Sequence, residues 1–231
     1  PQIYPTRGSN ISFSLQATLP YSQFINSRKL DYTDESLSKA ERWSWIEYHK
    51  WKFSTDVYMP IVGNFVARFV SRFGTLGYYN SDYGISPFER FRIGGDGLVA
   101  WNQFGQETYA LRGYDDREVT INREGEFFQG ATVFNKYIFE LRYPIMLNPQ
   151  SSIYTMLFAE AGNGWERFKD FDPFNVKKSY GVGVRFFLPM FGLLGFDYGL
   201  GVDKYVPPGL QDASLFDKYG KFRFILSFEP Q

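Results

Sequence analysis

The chain contains no cysteine and a single histidine, His49. The first absence excludes disulfide scaffolds and thiolate metal sites. The second leaves little room for imidazole catalysis, because Ser44 and His49 match no known nucleophile–base arrangement. Nor does any run approach the roughly 18–20 apolar residues of a membrane-spanning helix; the longest patches, 186–188 and 192–196, are bounded by Pro or Gly. Net charge is missing too. With 25 basic side chains against 25 acidic ones, the basic footprint of a nucleic-acid binder is lacking. Asp170 and Asp172, or Asp115 and Asp116, could hold a hard cation, but neither pair has calcium-loop spacing and both read as solvated carboxylates. The residues thus predict no enzyme, no metal and no cofactor. The chain opens at Pro1 without a signal peptide, as a piece cut from a longer protein would.

Aromatic residues, by contrast, are abundant at 20%. That suits a wall facing lipid, girdled by aromatics at both interfaces. Alternation with a period of two dominates. Phe65, Ala67, Phe69, Ser71 and Phe73 share one face, against Val66, Arg68, Val70 and Arg72; Phe139, Leu141 and Tyr143 oppose Ile138, Glu140 and Arg142 in the same way. The pattern predicts about eight strands, over 9–19, 45–60, 64–79, 131–146, 152–165, 178–188, 193–205 and 220–229. Their connections sort by length: short at 61–63, 147–151 and 189–192, long or moderate at 20–44, 80–130, 166–177 and 206–219. Short turns at one end and long loops at the other build an antiparallel transmembrane β-barrel, the fold class expected here. Pro149 and Gly192 supply tight-turn chemistry. The segment 33–42 reads as a solvated loop in preference to a short capped helix. Gly181, Gly183, Gly199 and Gly201 fall within strands, where small residues relieve crowding and no phosphate loop is implied. No linker or repeat is evident, so residues 1–231 are expected to form one barrel domain, without periplasmic domains.

Late in the longest loop, after Ile93-Gly-Gly-Asp-Gly97, stands Tyr109-Ala-Leu-Arg-Gly-Tyr-Asp115. Tyr4-Pro-Thr-Arg-Gly-Ser9 opens the first strand. Glu140-Leu-Arg-Tyr-Pro144, Phe158-Ala-Glu-Ala-Gly-Asn-Gly-Trp165 and Phe196-Asp-Tyr-Gly199 follow in order. Together, across the whole chain, these motifs resemble the BamA-like superfamily of outer-membrane assembly factors. The resemblance implies the C-terminal half of a roughly 16-stranded barrel. It also implies that the long loop folds into the lumen, where its Arg meets acidic side chains of the wall. Arg112, Gly113 and Tyr114 are the loop residues concerned. Glu140 and Glu160 lie on consecutive strands and average to position 150, so a hairpin centred there sets them almost directly opposite, both facing the lumen. Facing carboxylates repel, and the Arg112 guanidinium would relieve this with bidentate hydrogen bonds. Local neutralisation by Arg142 or Lys136 is the alternative.

The final strand places Phe222, Phe224 and Phe228 on one face, similar to the terminal signal of barrel proteins, although the chain runs on to Gln231. It would form one side of a lateral seam, with Gly220 and Pro230 at its ends. The implied function is folding and insertion of other barrels in the bacterial outer membrane. The implied partners are outer-membrane lipids, unfolded β-barrel substrates and accessory assembly subunits. A secretion pore, or a small autonomous barrel without insertase activity, is the alternative. Size poses a constraint, because a closed eight-stranded barrel is filled by its own side chains. The long loop would then lie outside, or a second chain would complete a wider barrel.

Overall fold

A computed structural model describes residues 4–24, 34, 36–42, 45–82, 84–86, 88–95, 107–119, 130–148, 151–188, 192–205 and 208–227. The wall consists of β1 (Gly8–Ala17), β2 (His49–Pro60), β3 (Val66–Gly77), β6 (Val133–Asn148), β7 (Ser151–Trp165), β8 (Lys177–Leu188), β9 (Gly192–Gly201) and β10 (Gly220–Ser227). These pair antiparallel in chain order as one eight-stranded sheet. Between β3 and β6, two short strands, β4 (Phe91–Ile93) and β5 (Glu107–Tyr109), pair in parallel. Nothing in the alternation pattern announced them, because three residues are too few to show a period.

Register carries the alternation from strand to strand. Val57, Phe69, Phe139, Ala159, Tyr180 and Leu200 form one row across six strands, on the outward face. The neighbouring row, Tyr58, Arg68, Glu140, Phe158, Gly181 and Gly199, lies on the inward face. Phe69, Phe139, Leu157, Tyr180, Val182 and Phe196 stand exposed on the outside. Lys50, Lys136, Glu140, Arg142, Glu160, Arg185 and Asp197 are buried on the inside. Such an inversion, apolar out and charged in, fits a wall between lipid and a polar lumen.

Strand ends follow local hydrogen bonds. The Thr18 hydroxyl accepts the Tyr48 N–H at 2.9 Å beside the β1 and β2 termini. β9 stops at Gly201, short of the expected 205, because Asp203 turns back to accept the Lys178 N–H at 2.7 Å. Segment 33–42 departs from the loop expectation: Lys39–Arg42 forms a helical turn, α2, after short α1 (Tyr21–Phe24). Ser38 and Glu41 cap it reciprocally, the Ser38 hydroxyl accepting from the Glu41 N–H while Glu41 accepts from Ser38. Two further turns, α3 (Asp116–Val119) and α4 (Leu215–Tyr219), sit in the other long connections.

Among the described residues no ladder joins β1 to β10. The long loop packs against the inward face of the wall. Phe91, Ile93, Leu111, Tyr114 and Val119 from the loop pack with Leu76 and Phe134 of the wall into the main apolar cluster. Phe134 centres this contact, with ring centroids 4.7 Å from Phe91 and 4.1 Å from Tyr109.

Candidate functional site: the loop-to-wall cluster

Glu140 and Glu160 do not face each other directly. Ile145 bulges between Pro144 and Met146, and the register beyond it pairs Glu140 with Phe158 and Glu160 with Ile138. Pro144 lacks an N–H for the ladder, a setting in which strands accept a bulge. The carboxylates are therefore diagonal neighbours on the inward face, a spacing of about 7–8 Å between such positions, wide enough to admit a guanidinium.

Arg112 enters that gap. Its Nε donates to Glu160 Oε1 at 2.7 Å, its Nη2 to Glu140 Oε1 at 2.8 Å, and its backbone N–H to Glu160 Oε2 at 2.8 Å. The fork is shared between the two carboxylates. The guanidinium lies 3.7 Å from the centre of the Phe158 ring. A Cβ on Gly181 would sit 2.5 Å from that ring, so the glycine makes the ring's position possible. Burial works against the Arg112 charge, but the carboxylates of Glu160, Glu140 and Asp197 outweigh it and hold its pKa above the ordinary arginine value. The local cations contribute as well. Arg142 Nη2 is 2.6 Å from Glu140, and Lys136 Nζ is 3.4 Å from Glu160 while also donating to the Ala110 carbonyl.

The next two loop residues complete the contact. Gly113 has φ +90°, a left-handed conformation that favours glycine, and its backbone rests on β9. A Cβ there would meet the Gly201 nitrogen at 2.8 Å; one on Gly199 would meet the Gly113 nitrogen at 2.9 Å. Tyr114 donates its hydroxyl hydrogen to the Lys178 carbonyl at 2.7 Å and accepts the Asp203 N–H at 3.1 Å. Burial, partly offset by that backbone donor, pushes its phenol up to about 12.

Sequence reasoning missed other members. Asp197 grips Arg185 through both oxygens, at 2.6 and 2.8 Å, and lies 3.6 Å from Arg112. Its inward position on β9 was readable once the strand was assigned. Arg68 bridges Asp56 at 2.6 Å and Glu140 at 3.4 Å. Elsewhere on the wall, Lys50 of β2 is fully buried beside Glu89 and Glu107 of the loop, 3.1 and 3.0 Å away, a contact that no motif signalled.

The remaining candidates lie apart from the cluster. Phe222 is outward and exposed on β10, 6.0 Å from Phe196 between ring centres. The Phe224 backbone pairs with Phe196, while its side chain, together with Phe228 and Pro230, lies outside the described residues. His49 begins β2 at the rim, where its Nδ1 accepts the Trp51 indole hydrogen at 2.9 Å. Asp170 pairs with Arg167, Asp172 accepts the Phe174 N–H, and Asp115 meets Lys221 at 2.5 Å. The Asp116 side chain lies outside the described residues.

An antiparallel wall, apolar outside and charged inside, with a long loop pinned to its inner face, defines a membrane β-barrel with an internal loop. A model of the Omp85 superfamily domain matches residues 2–228, and the chain belongs to that superfamily of outer-membrane β-barrels concerned with protein assembly and secretion. Among solved structures it is similar to the crystal structure of BamA from Haemophilus ducreyi lacking POTRA domains 1-3, with a TM-score of 0.58 and 18% identity. That likeness covers 87% of this chain and 36% of the BamA chain, so the chain spans little more than a third of its neighbour. No curated protein matches.

Proposed function

We propose that this chain forms the seam-bearing half of a barrel that folds and inserts other β-barrel proteins into the bacterial outer membrane. It would act without ATP, cofactor or covalent chemistry, through backbone pairing with unfolded barrel substrates and in company with accessory subunits. The observation that carries the reading is an asymmetry in bracing. Arg112 ties β6, β7 and β9 together through Glu140, Glu160 and Asp197. Among the described residues strand β10 has the β9 ladder, the Phe222–Phe196 ring contact and the exposed Lys221–Asp115 pair, and its Arg223 lines the lumen beside the cluster without an ion pair to Glu140, Glu160 or Asp197. Exposed pairs contribute about 0–1 kcal/mol. Unpaired backbone groups in lipid are costly. A weakly held edge therefore offers a substrate strand hydrogen bonds it cannot obtain elsewhere.

The test uses the full-length protein in lipid vesicles, with a cysteine in place of Phe222 crosslinked to the strand facing it across the seam. Folding of a substrate barrel, read as a shift in gel mobility on heating, should fall to the spontaneous rate. An unchanged rate would remove the proposal. Ion-selective conductance with no stimulation of folding would instead favour a secretion pore.

A further inference from the structure

The loop after β7 does not project away from the wall; it folds back over the outer face. Asn135 and Asn163, both on outward positions of their strands, donate to the Pro173 and Asn175 carbonyls at 3.1 and 2.8 Å. Phe171 packs edge-on against Trp165 and Phe73, with ring centres 4.9 and 5.5 Å away. Beside this strap, at the long-loop end of the wall, lies a groove of about 580 Å³. Outward Trp51 and Thr75 form its floor, Tyr78 and Ile85 one side, and Phe168 the strap side. Arg167, Lys169 and His49 also line it, and among the described residues no Asp or Glu does. Arg167 is held at 2.8 Å by Asp170, whereas Lys169 has no acidic partner among the described residues.

We propose that this groove binds the phosphate-bearing headgroup of a membrane lipid. An aromatic and aliphatic floor opening on the outward face suits the upper part of an acyl chain. At the rim, Lys169, which has no acidic partner among the described residues, and Arg167 beside it suit the phosphate, since basic side chains are drawn to an anionic membrane surface. The exposed Phe168, and Phe174 at 88% exposure, extend the same apolar surface along the strap, where a soluble loop would place polar residues. The strap thus acts as an interfacial anchor, tying one lipid to the wall beside β2 and β3. This proposal rests on the membrane-barrel reading and not on insertase activity.

The experiment titrates the full-length protein, in dodecyl maltoside micelles, with phosphatidic acid and separately with phosphatidylcholine, counting bound lipids by native mass spectrometry. One phosphatidic acid should bind in preference to phosphatidylcholine. The preference should fall about tenfold in R167Q/K169Q, and D170N, which frees Arg167, should strengthen it. All of these positions lie in the strap, and circular dichroism of the same samples reports whether the wall has folded. A folded parent without preference, or a folded R167Q/K169Q that keeps it, overturns the lipid site alone. Displacement of the lipid by millimolar inorganic phosphate would make this a free-anion site and overturn the lipid assignment.

Discussion

Gly113 and Gly201 touch through bare backbone: a Cβ on Gly201 would fall 2.7 Å from the Gly113 carbonyl oxygen. No side chain can be added to either without parting the loop from β9. Gly201→Ala keeps an allowed backbone conformation, so its cost is overpacking, about 1–3 kcal/mol. The expected outcome is a folded wall whose loop becomes cleavable by trypsin, with Arg112 among the new sites. Protection equal to that of the parent chain would show that the glycine contact does not hold the loop.

Removing Arg112 acts on charge instead of space. Arg112→Met leaves Glu140 and Glu160 buried without their shared cation, and breaking a buried pair in this way costs about 3–5 kcal/mol. Adding Glu160→Gln should restore part of the loss, because the remaining charge at Glu140 still has Arg142 and Arg68 beside it. A double-mutant cycle from urea midpoints in lipid vesicles should give a coupling above about 1 kcal/mol. Additive losses would mean that the two residues act independently. Arg112→Lys should fall between parent and Met, since an ammonium keeps the charge but cannot fork between two carboxylates.

Much of this arrangement was legible in the residues. Alternation in 65–73 and 133–143 located the wall and its two faces, because each strand buries one side and a slip by one residue would invert it. Loop lengths supplied the direction. The contact of Arg112 with acidic wall residues was implied by the family resemblance; order and parity singled out Glu140 and Glu160, and parity survives a register error of two. What could not be read is equally physical. The bulge at Ile145 moves the register without changing composition. Strands β4 and β5 are too short for a period. The Lys50–Glu89–Glu107 contact joins residues 39 and 57 positions apart, and only the folded loop brings them together.

That last contact carries a pH dependence. Burial alone would raise the Glu107 carboxyl, but hydrogen bonds from Lys52 and Lys50 outweigh it and leave the pKa below the ordinary glutamate value. A depressed carboxyl contributes stability above the unfolded pKa, about 4.3, and loses it as pH falls through the lower folded value. The loop should therefore stay docked at neutral pH and begin to release below about pH 4. Pepsin cleavage within 80–130, followed as a function of pH, reads this release. Glu107→Gln should show raised cleavage already at the upper end of the pepsin range and little further change on acidification. A parent and variant with the same pH profile would remove Glu107 from the account.

The outward face sets a separate test, because it concerns the solvent and not the loop. Leu157 lies near the middle of β7, 58% exposed, between Leu141 and Val182 on the adjacent strands. In water such a side chain could be replaced by Arg at little cost. In a bilayer, Arg at mid-depth on the lipid face costs about 2–4 kcal/mol, falling towards zero at the interfaces. Leu157→Arg should accordingly lower the urea midpoint in lipid vesicles, while Phe168→Arg, in the strap beyond the strand end, should change it little. The depth dependence is the informative part. Equal small effects at both positions would place the wall in water and remove the membrane assignment of its outward face, whatever the inward cluster does.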